Sequence, residues 1–256
     1  MKATTIKKQG FMQKLIRYKT LLFMLLPSAA LVIIFSYLPI GGLVMAFKRF
    51  NYADGIFGSP WVGLDNFRFF FESGKAFTVT RNTALYNLAF ILINTVLEIA
   101  FAIILSEMAG KWLKKITQSI IFLPYFISWV IVGSIAYSLL SYETGTLNGI
   151  LRAMGVDPIN FYGEAGWWPL IIVAFSAWKG VGYGVVVYLA SILGVDGSLH
   201  EAAAIDGANI FQRIRYITIP SITPTVITLT LLALGKIFRG NLDLFYQLVG
   251  QNECQI

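Results

Sequence analysis

Histidine, cysteine and charge are what this sequence has least of. His200 and Cys254 are each the single residue of their type among 256, so an intrachain disulfide and any His/Cys metal cluster are excluded. Charged residues make up 13% of the chain, against roughly 25% in an average soluble domain. With 57% hydrophobic residues and a mean hydropathy of +0.70, there is more apolar surface than a water-soluble fold can hide. No GxxxxGKS/T phosphate loop occurs, so any ATP hydrolysis of the P-loop kind belongs to another chain. No nucleophile, base and orienting group fall together in a catalytic pattern; an enzyme is not expected, and neither catalytic nor metal-ligating residues are assigned.

What is present is long apolar runs. A spanning helix takes about 20 mostly apolar residues, and five stretches reach that order: Leu21 to Phe47, Thr83 to Ala109, Ser119 to Ser141, Trp167 to Leu193, and Ile222 to about Gly240. A basic tail, residues 1–20, precedes them, with Lys2, Lys7, Lys8, Lys14, Arg17 and Lys19 and no acidic residue. The apolar core of a signal peptide runs only about 7–15 residues, so the first stretch reads as a membrane helix. Lys and Arg mark loops that stay inside. That rule places the N-terminus inside, the loop with Lys111, Lys114 and Lys115 inside, and the Tyr142 to Gly166 loop outside, where Arg152 stands against Glu143, Asp157 and Glu164. The first outside loop agrees less well, holding Lys48, Arg49, Arg68, Lys75 and Arg81 against Asp54, Asp65 and Glu72. Trp61, Trp167 and Trp168 fall near the outer boundary and Trp112 near the inner one, where amphipathic rings prefer to sit. The net charge of +7 is therefore read through topology, and nucleic acid is not expected as a partner.

The inside loop at 194–220 carries the densest local signal. Asp196 or Ser198 can cap a first short helix, Ser198 and Glu201 have the spacing of a capping box, and Ala202, Ala203 and Ala204 favour helix. Gly207 permits a tight turn beside Asp206, Phe211, Ile214 and Ile217 recur at helical spacing, and Pro220 is expected to stop the segment before the fifth span.

Glu201-Ala202-Ala203, Asp206-Gly207-Ala208 and Ile219-Pro220 resemble, in order and spacing, the EAA loop of binding-protein-dependent ABC importer permeases. Gly63-Leu-Asp-Asn-Phe67, Leu123-Pro-Tyr-Phe-Ile-Ser-Trp129 and Gly145-Thr-Leu-Asn148 resemble the oligosaccharide and polysaccharide branch of that family. The resemblance runs from the basic tail to about Gly250. It implies an all-α, polytopic transmembrane bundle of the MetI-like type in a bacterial plasma membrane, with a permease domain at 21–240. The loop would be a coupling helix docking on a cytoplasmic ATPase, using Glu201, Ala202, Ala203, Asp206, Gly207, Phe211 and Pro220. It further implies two ABC ATPase subunits that hold ATP and Mg, a second permease subunit, and an extracytoplasmic solute-binding protein. Such permeases usually have six spans; here the sixth is missing from the pattern, and residues 241–256 read as a short outside tail of a truncated or shortened chain.

Glu98, Lys179, Lys236 and Arg239 lie in or near apolar spans, where a central charge costs roughly 2.5–3.5 kcal/mol and so faces protein or a wet cavity. They are candidates for a substrate path, against the alternative that Glu98 pairs with a lysine and Arg239 snorkels to the interface. Trp178 and Tyr183 are added because aromatic rings stack on sugar faces. Ser176, Gly180 and Gly184, spaced by four, form a small-residue row that admits a close helix neighbour. A secondary carrier or channel using the intramembrane charges, or a non-transporting scaffold, are the rival readings; both leave the EAA spacing to chance.

Overall fold

The structure is a computed structural model and describes residues 17–250. Lys2, Lys7, Lys8, Lys14 and Cys254 lie outside the described residues. The chain divides between Thr78 and Val79 into two compact units. Among the described residues there are helices and one isolated bridge, Lys48 with Trp61.

In the first unit, helix α1 (Lys19–Phe47) is long and apolar enough to cross a membrane. The chain then turns through α2 (Gly55–Gly58) into α3 (Asp65–Glu72). The Gly63 to Phe67 segment fastens this turn to the end of the span. Gly63 sits at φ +62°, the left-handed region that favours glycine, Asn66 Nδ2 donates to the carbonyls of Ala46 and Lys48 at 2.9 Å each, and Phe67 packs on Phe47. Two of the loop's basic residues have local duties: Lys48 Nζ donates to the carbonyls of Ile56 and Phe57, and Arg68 pairs with Glu72.

The second unit is built around one helix. α4 (Lys75–Glu107), whose first residues up to Thr78 fall in the first unit, leads into α5 (Lys111–Phe126), α6 (Trp129–Leu140), α7 (Thr146–Ala153) and α8 (Ala165–Leu193). α9 (Gly197–Ile205), α10 (Ile210–Leu234) and α11 (Leu242–Val249) follow. α8 supplies residues to both buried clusters. Its N-terminal half, Trp168, Ile171 and Ile172, packs with Val132 and Ala136 of α6 and Leu244 and Leu248 of α11. Its other half, Val181, Val185, Tyr188 and Leu189, packs with Ala102 and Leu105 of α4 and Ile222 of α10.

Small residues let the neighbours approach. A Cβ on Gly184 would overlap the Glu98 carboxyl, and one on Gly180 would rest 3.7 Å from Asn94 Nδ2. The small-residue row of α8 thus packs against a polar row of α4. On another face, a Cβ on Gly182 would meet the Ile121 carbonyl and stand 2.8 Å from Phe122 Cα.

Three expectations are refined by the structure. Ser119 to Ser141 is a broken span: α5 and α6 meet at 101° across Ile127 and Ser128. Pro124 sits in a final tight turn of α5, both Ile127 and Ser128 are extended, and Ser128 Oγ caps α6 by accepting from the Ile131 amide at 3.4 Å. The break leaves the Tyr125 carbonyl outside the helical ladder, and Lys179 Nζ donates to it at 2.8 Å while lying over the Tyr125 and Trp129 rings. Second, Pro220 does not stop the segment. α10 runs unbroken from Ile210, and a wide turn at Ile214–Thr218, where the Ile219 amide reaches the Ile214 carbonyl, absorbs the proline's missing donor. α10 also ends at Leu234, so Lys236 and Arg239 lie beyond it. Third, residues 242–249 of the segment read as a tail form a packed helix: Asn241 Oδ1 caps α11, and Leu244, Leu248 and Val249 are buried.

Two tests follow from this packing. Gly182→Ala is expected to destabilise by about 1–3 kcal/mol through overpacking, while Gly180→Ala is tolerated, as read by thermal unfolding in detergent. Lys179→Met removes the cationic donor to the Tyr125 carbonyl, a bond of about 1.5–3 kcal/mol; hydrogen exchange across residues 123–131 is expected to speed up by about tenfold or more, whereas Lys179→Arg changes it little.

Candidate coupling elbow and polar cavities

The 194–220 loop folds as an elbow. Asp196 is the cap of α9, its carboxylate accepting the Ser198 amide at 2.9 Å. The Ser198 backbone and side-chain hydrogen bonds hold the Asp196 carboxyl below the usual carboxylate range, so the cap stays charged at neutral pH and is lost only on acidification. The expected Ser198–Glu201 box does not form. The capping box is instead Asn209 with Gln212, at 2.9 Å and 2.8 Å, opening α10; its Asn-x-x-Gln spacing was available in the sequence.

Between the two helices the turn is a Schellman motif. The Ala208 amide bonds the Ala203 carbonyl at 2.9 Å, and the Gly207 amide bonds the Ala204 carbonyl at 3.1 Å. Gly207 sits at φ +80° with open space around it, so backbone conformation rather than crowding demands glycine. Glu201, Ala202 and Asp206 are exposed, as is Pro220, and Ala203 is half-buried. The elbow also presents apolar side chains to solvent: Ile205 is 87% exposed, Phe211 78%, and Leu199 50%. Glu201 makes no ion pair or hydrogen bond among the described residues. Sequence reasoning singled out Phe211 but missed Ile205 and Leu199.

The proposed path residues do not converge on one place. Lys236 and Arg239 line a cavity of about 470 Å³ together with Tyr86, Asn87, Ser176 and Asp243. Lys179 and Tyr183, four apart on α8, both face Tyr125, whose ring stacks on Tyr183 at 5.4 Å. Lys179 also borders a second cavity of about 360 Å³ with Ser128, Trp129, Gln247 and Asp243. Asp243 thus lines both cavities, a residue the sequence reading passed over as tail. Trp178 stands apart, in an apolar crevice with Ile135, Leu139 and Phe175. Glu98 lies under Gly184, and among the described residues no lysine or arginine is within ion-pair distance of it. Among the described residues no His, Cys, Asp and Glu group is arranged to hold a metal ion.

Known proteins match this architecture. Residues 98–242 match the family of binding-protein-dependent transport system inner membrane components. Protein LplB of Bacillus subtilis is 34% identical over 95% of this chain and 76% of its own length. The polygalacturonan/rhamnogalacturonan transport system permease protein YteP of the same organism is 32% identical over 98% of this chain and 78% of its own. A crystal structure of a bacterial ABC transporter that imports the acidic polysaccharide alginate superposes with a TM-score of 0.84 at 33% identity, over 95% of this chain and 82% of that one. With its fold, its apolar helices and its relatives in agreement, the chain belongs to the binding-protein-dependent transport system inner membrane components, the permease subunits of ABC importers.

Proposed function

We propose that this permease imports oligosaccharides or polysaccharide fragments, driven by ATPase subunits gripping the elbow formed by α9 and the start of α10. The observation that carries the reading is the elbow's surface. It is locally rigid, held by two caps and a Schellman turn, yet it leaves Leu199, Ile205 and Phe211 exposed beside an unpaired Glu201. Apolar side chains clustered on a polar loop mark a contact site. The chain has no phosphate loop of its own, so the contact is with the nucleotide-binding partner, in two copies, each holding ATP and Mg.

α10 gives the contact mechanical reach. Its 25 residues run from the elbow to Leu234, a length of about 37 Å at ~1.5 Å per residue, and end just before Lys236. Movement imposed near Phe211 is therefore passed along one continuous helix to the 470 Å³ cavity. On this reading Glu201, Ala202, Ala203, Asp206, Gly207, Phe211 and Pro220 form or support the docking elbow. Lys236 and Arg239 belong to the path. Lys179 and Tyr183 brace its wall, and Glu98 and Trp178 are packing residues. The N-terminus and the elbow share the cytoplasmic side. A second permease, of a different sequence, completes the path, and a solute-binding protein delivers sugar from the opposite face. A relative in the alginate system has been crystallised with its pentasaccharide-bound periplasmic protein. Ion coupling by intramembrane charge finds less support, because Lys179 is committed to the Tyr125 carbonyl.

Glu201→Lys and Gly207→Pro are expected to abolish co-purification of the ATPase subunits and sugar-stimulated ATP hydrolysis, since proline is fixed near φ −65° and cannot adopt the +80° of the turn. Gly207→Asn, which tolerates the left-handed region, keeps both. Retention of a full ATPase complex by Glu201→Lys and Gly207→Pro overturns the reading.

A further inference from the structure

Lys236 and Arg239 present two cationic side chains to one cavity, with no partner inside it. Neither side chain takes part in a hydrogen bond or an ion pair among the described residues. What fixes Arg239 is its backbone: the amide donates to the Lys236 carbonyl at 2.8 Å, and the carbonyl accepts from Asn87 Nδ2 at 3.4 Å. The guanidinium is left uncommitted. Asp243, the carboxylate that lines the same cavity, is beyond ion-pair distance of both cations. Both residues are exposed in the turn that follows α10, so their charged ends are free to meet a solute entering the cavity.

The rest of the cavity suits a saccharide. Tyr86 packs edge-on against Phe245 at 5.4 Å and lies 6.1 Å from Phe90, forming an aromatic wall for the apolar face of a sugar ring. Asn87 spends its Nδ2 on the Thr83 and Arg239 carbonyls, which leaves Oδ1 to accept from a hydroxyl. Asn241 spends its Oδ1 on the Leu244 amide, which leaves its Nδ2 to donate. The volume of about 470 Å³ falls within the ~300–1,000 Å³ of small-molecule sites. Two forked or multivalent cationic donors set three residues apart match a carboxylate better than they match hydroxyls, because charge-assisted bonds are about twice as strong as neutral ones.

We propose that this cavity is a saccharide subsite selecting sugars that carry a carboxylate, that is, uronate-bearing oligosaccharides, with Lys236 and Arg239 receiving the carboxylate. The proposal rests on the carbohydrate-import reading above and narrows its substrate class. Carboxylate recognition here is binding only; no bond is made or broken.

The test uses proteoliposomes holding the complete complex, with the binding protein on the outside. Uptake of trigalacturonate and of its fully methyl-esterified, neutral form is measured for wild type and variants. The variant-to-wild-type ratio for each sugar cancels the binding protein's own preference. Lys236→Met combined with Arg239→Met is expected to lower trigalacturonate uptake by about tenfold or more and to leave uptake of the ester within about twofold of wild type. Lys236→Arg keeps the charge and restores uptake of the acid. If the double variant fails to assemble with its ATPase, Lys236→Gln alone serves, with a loss of several-fold confined to the acid. Equal losses for both sugars, no loss for the acid, or wild-type import of the ester alone overturns acid selection and leaves carbohydrate import standing. A wild-type complex that hydrolyses ATP but imports neither sugar overturns the carbohydrate reading and this proposal together.

Discussion

Backbone groups inside hydrocarbon have no water to turn to, so every interruption of a helix must be met by the protein itself. That constraint explains why the charged and polar residues of this chain sit where they do. The break between α5 and α6 frees the Tyr125 carbonyl, and Lys179 answers it from α8. The proline at the start of the last long span removes a donor, and the wide turn at Ile214–Thr218 answers that. Where α8 and α10 run side by side, Ser191 and Thr225 bond to each other at 2.9 Å. A lysine that looks expensive in a hydropathy reading is, in three dimensions, the group that makes a 101° bend tolerable.

Packing distinguishes the long helices from one another. α8 is the most engaged: it carries residues into both buried clusters and lets α4 and α5 approach through Gly184 and Gly182. α10 is more lightly held, with Ile222 its fully buried apolar residue, and it is continuous with the elbow. A lightly held helix beside a firmly packed one is a suitable lever. On the proposed reading, force applied at the elbow travels along α10 as far as Leu234, where the turn bearing Lys236 and Arg239 begins.

Much of this was legible in the sequence. Apolar runs located the long helices because each had to be at least a membrane thickness long. Gly207 was legible as a turn, since the flanking helix signals left nothing else for it to do. The Gly63 to Phe67 and Gly145 to Asn148 segments stood out as motifs before their physics was visible. Asn66 ties a loop to the end of a span, and the fully buried Asn148 bonds the Ser141 and Ile159 carbonyls and the Ile159 amide. What escaped was whatever depends on partners distant in sequence. Nothing local says that Lys179 meets Tyr125, fifty-four residues away, or that Asp243 borders two cavities. Pro220 was read as a stop because proline breaks the ordinary helical ladder; a one-residue widening of the turn was the alternative that local rules do not weigh. The six path candidates shared a property, polarity or aromaticity in an apolar run, and that property has at least three structural uses.

The account depends on the elbow facing the compartment where ATP is burned. The most direct measurement labels a single cysteine at position 205, with Cys254 replaced by serine, using a membrane-impermeant thiol reagent on intact and on permeabilised cells. The account predicts labelling only after permeabilisation, with protection when the ATPase subunits are bound. Labelling in intact cells would place the elbow outside and contradict it.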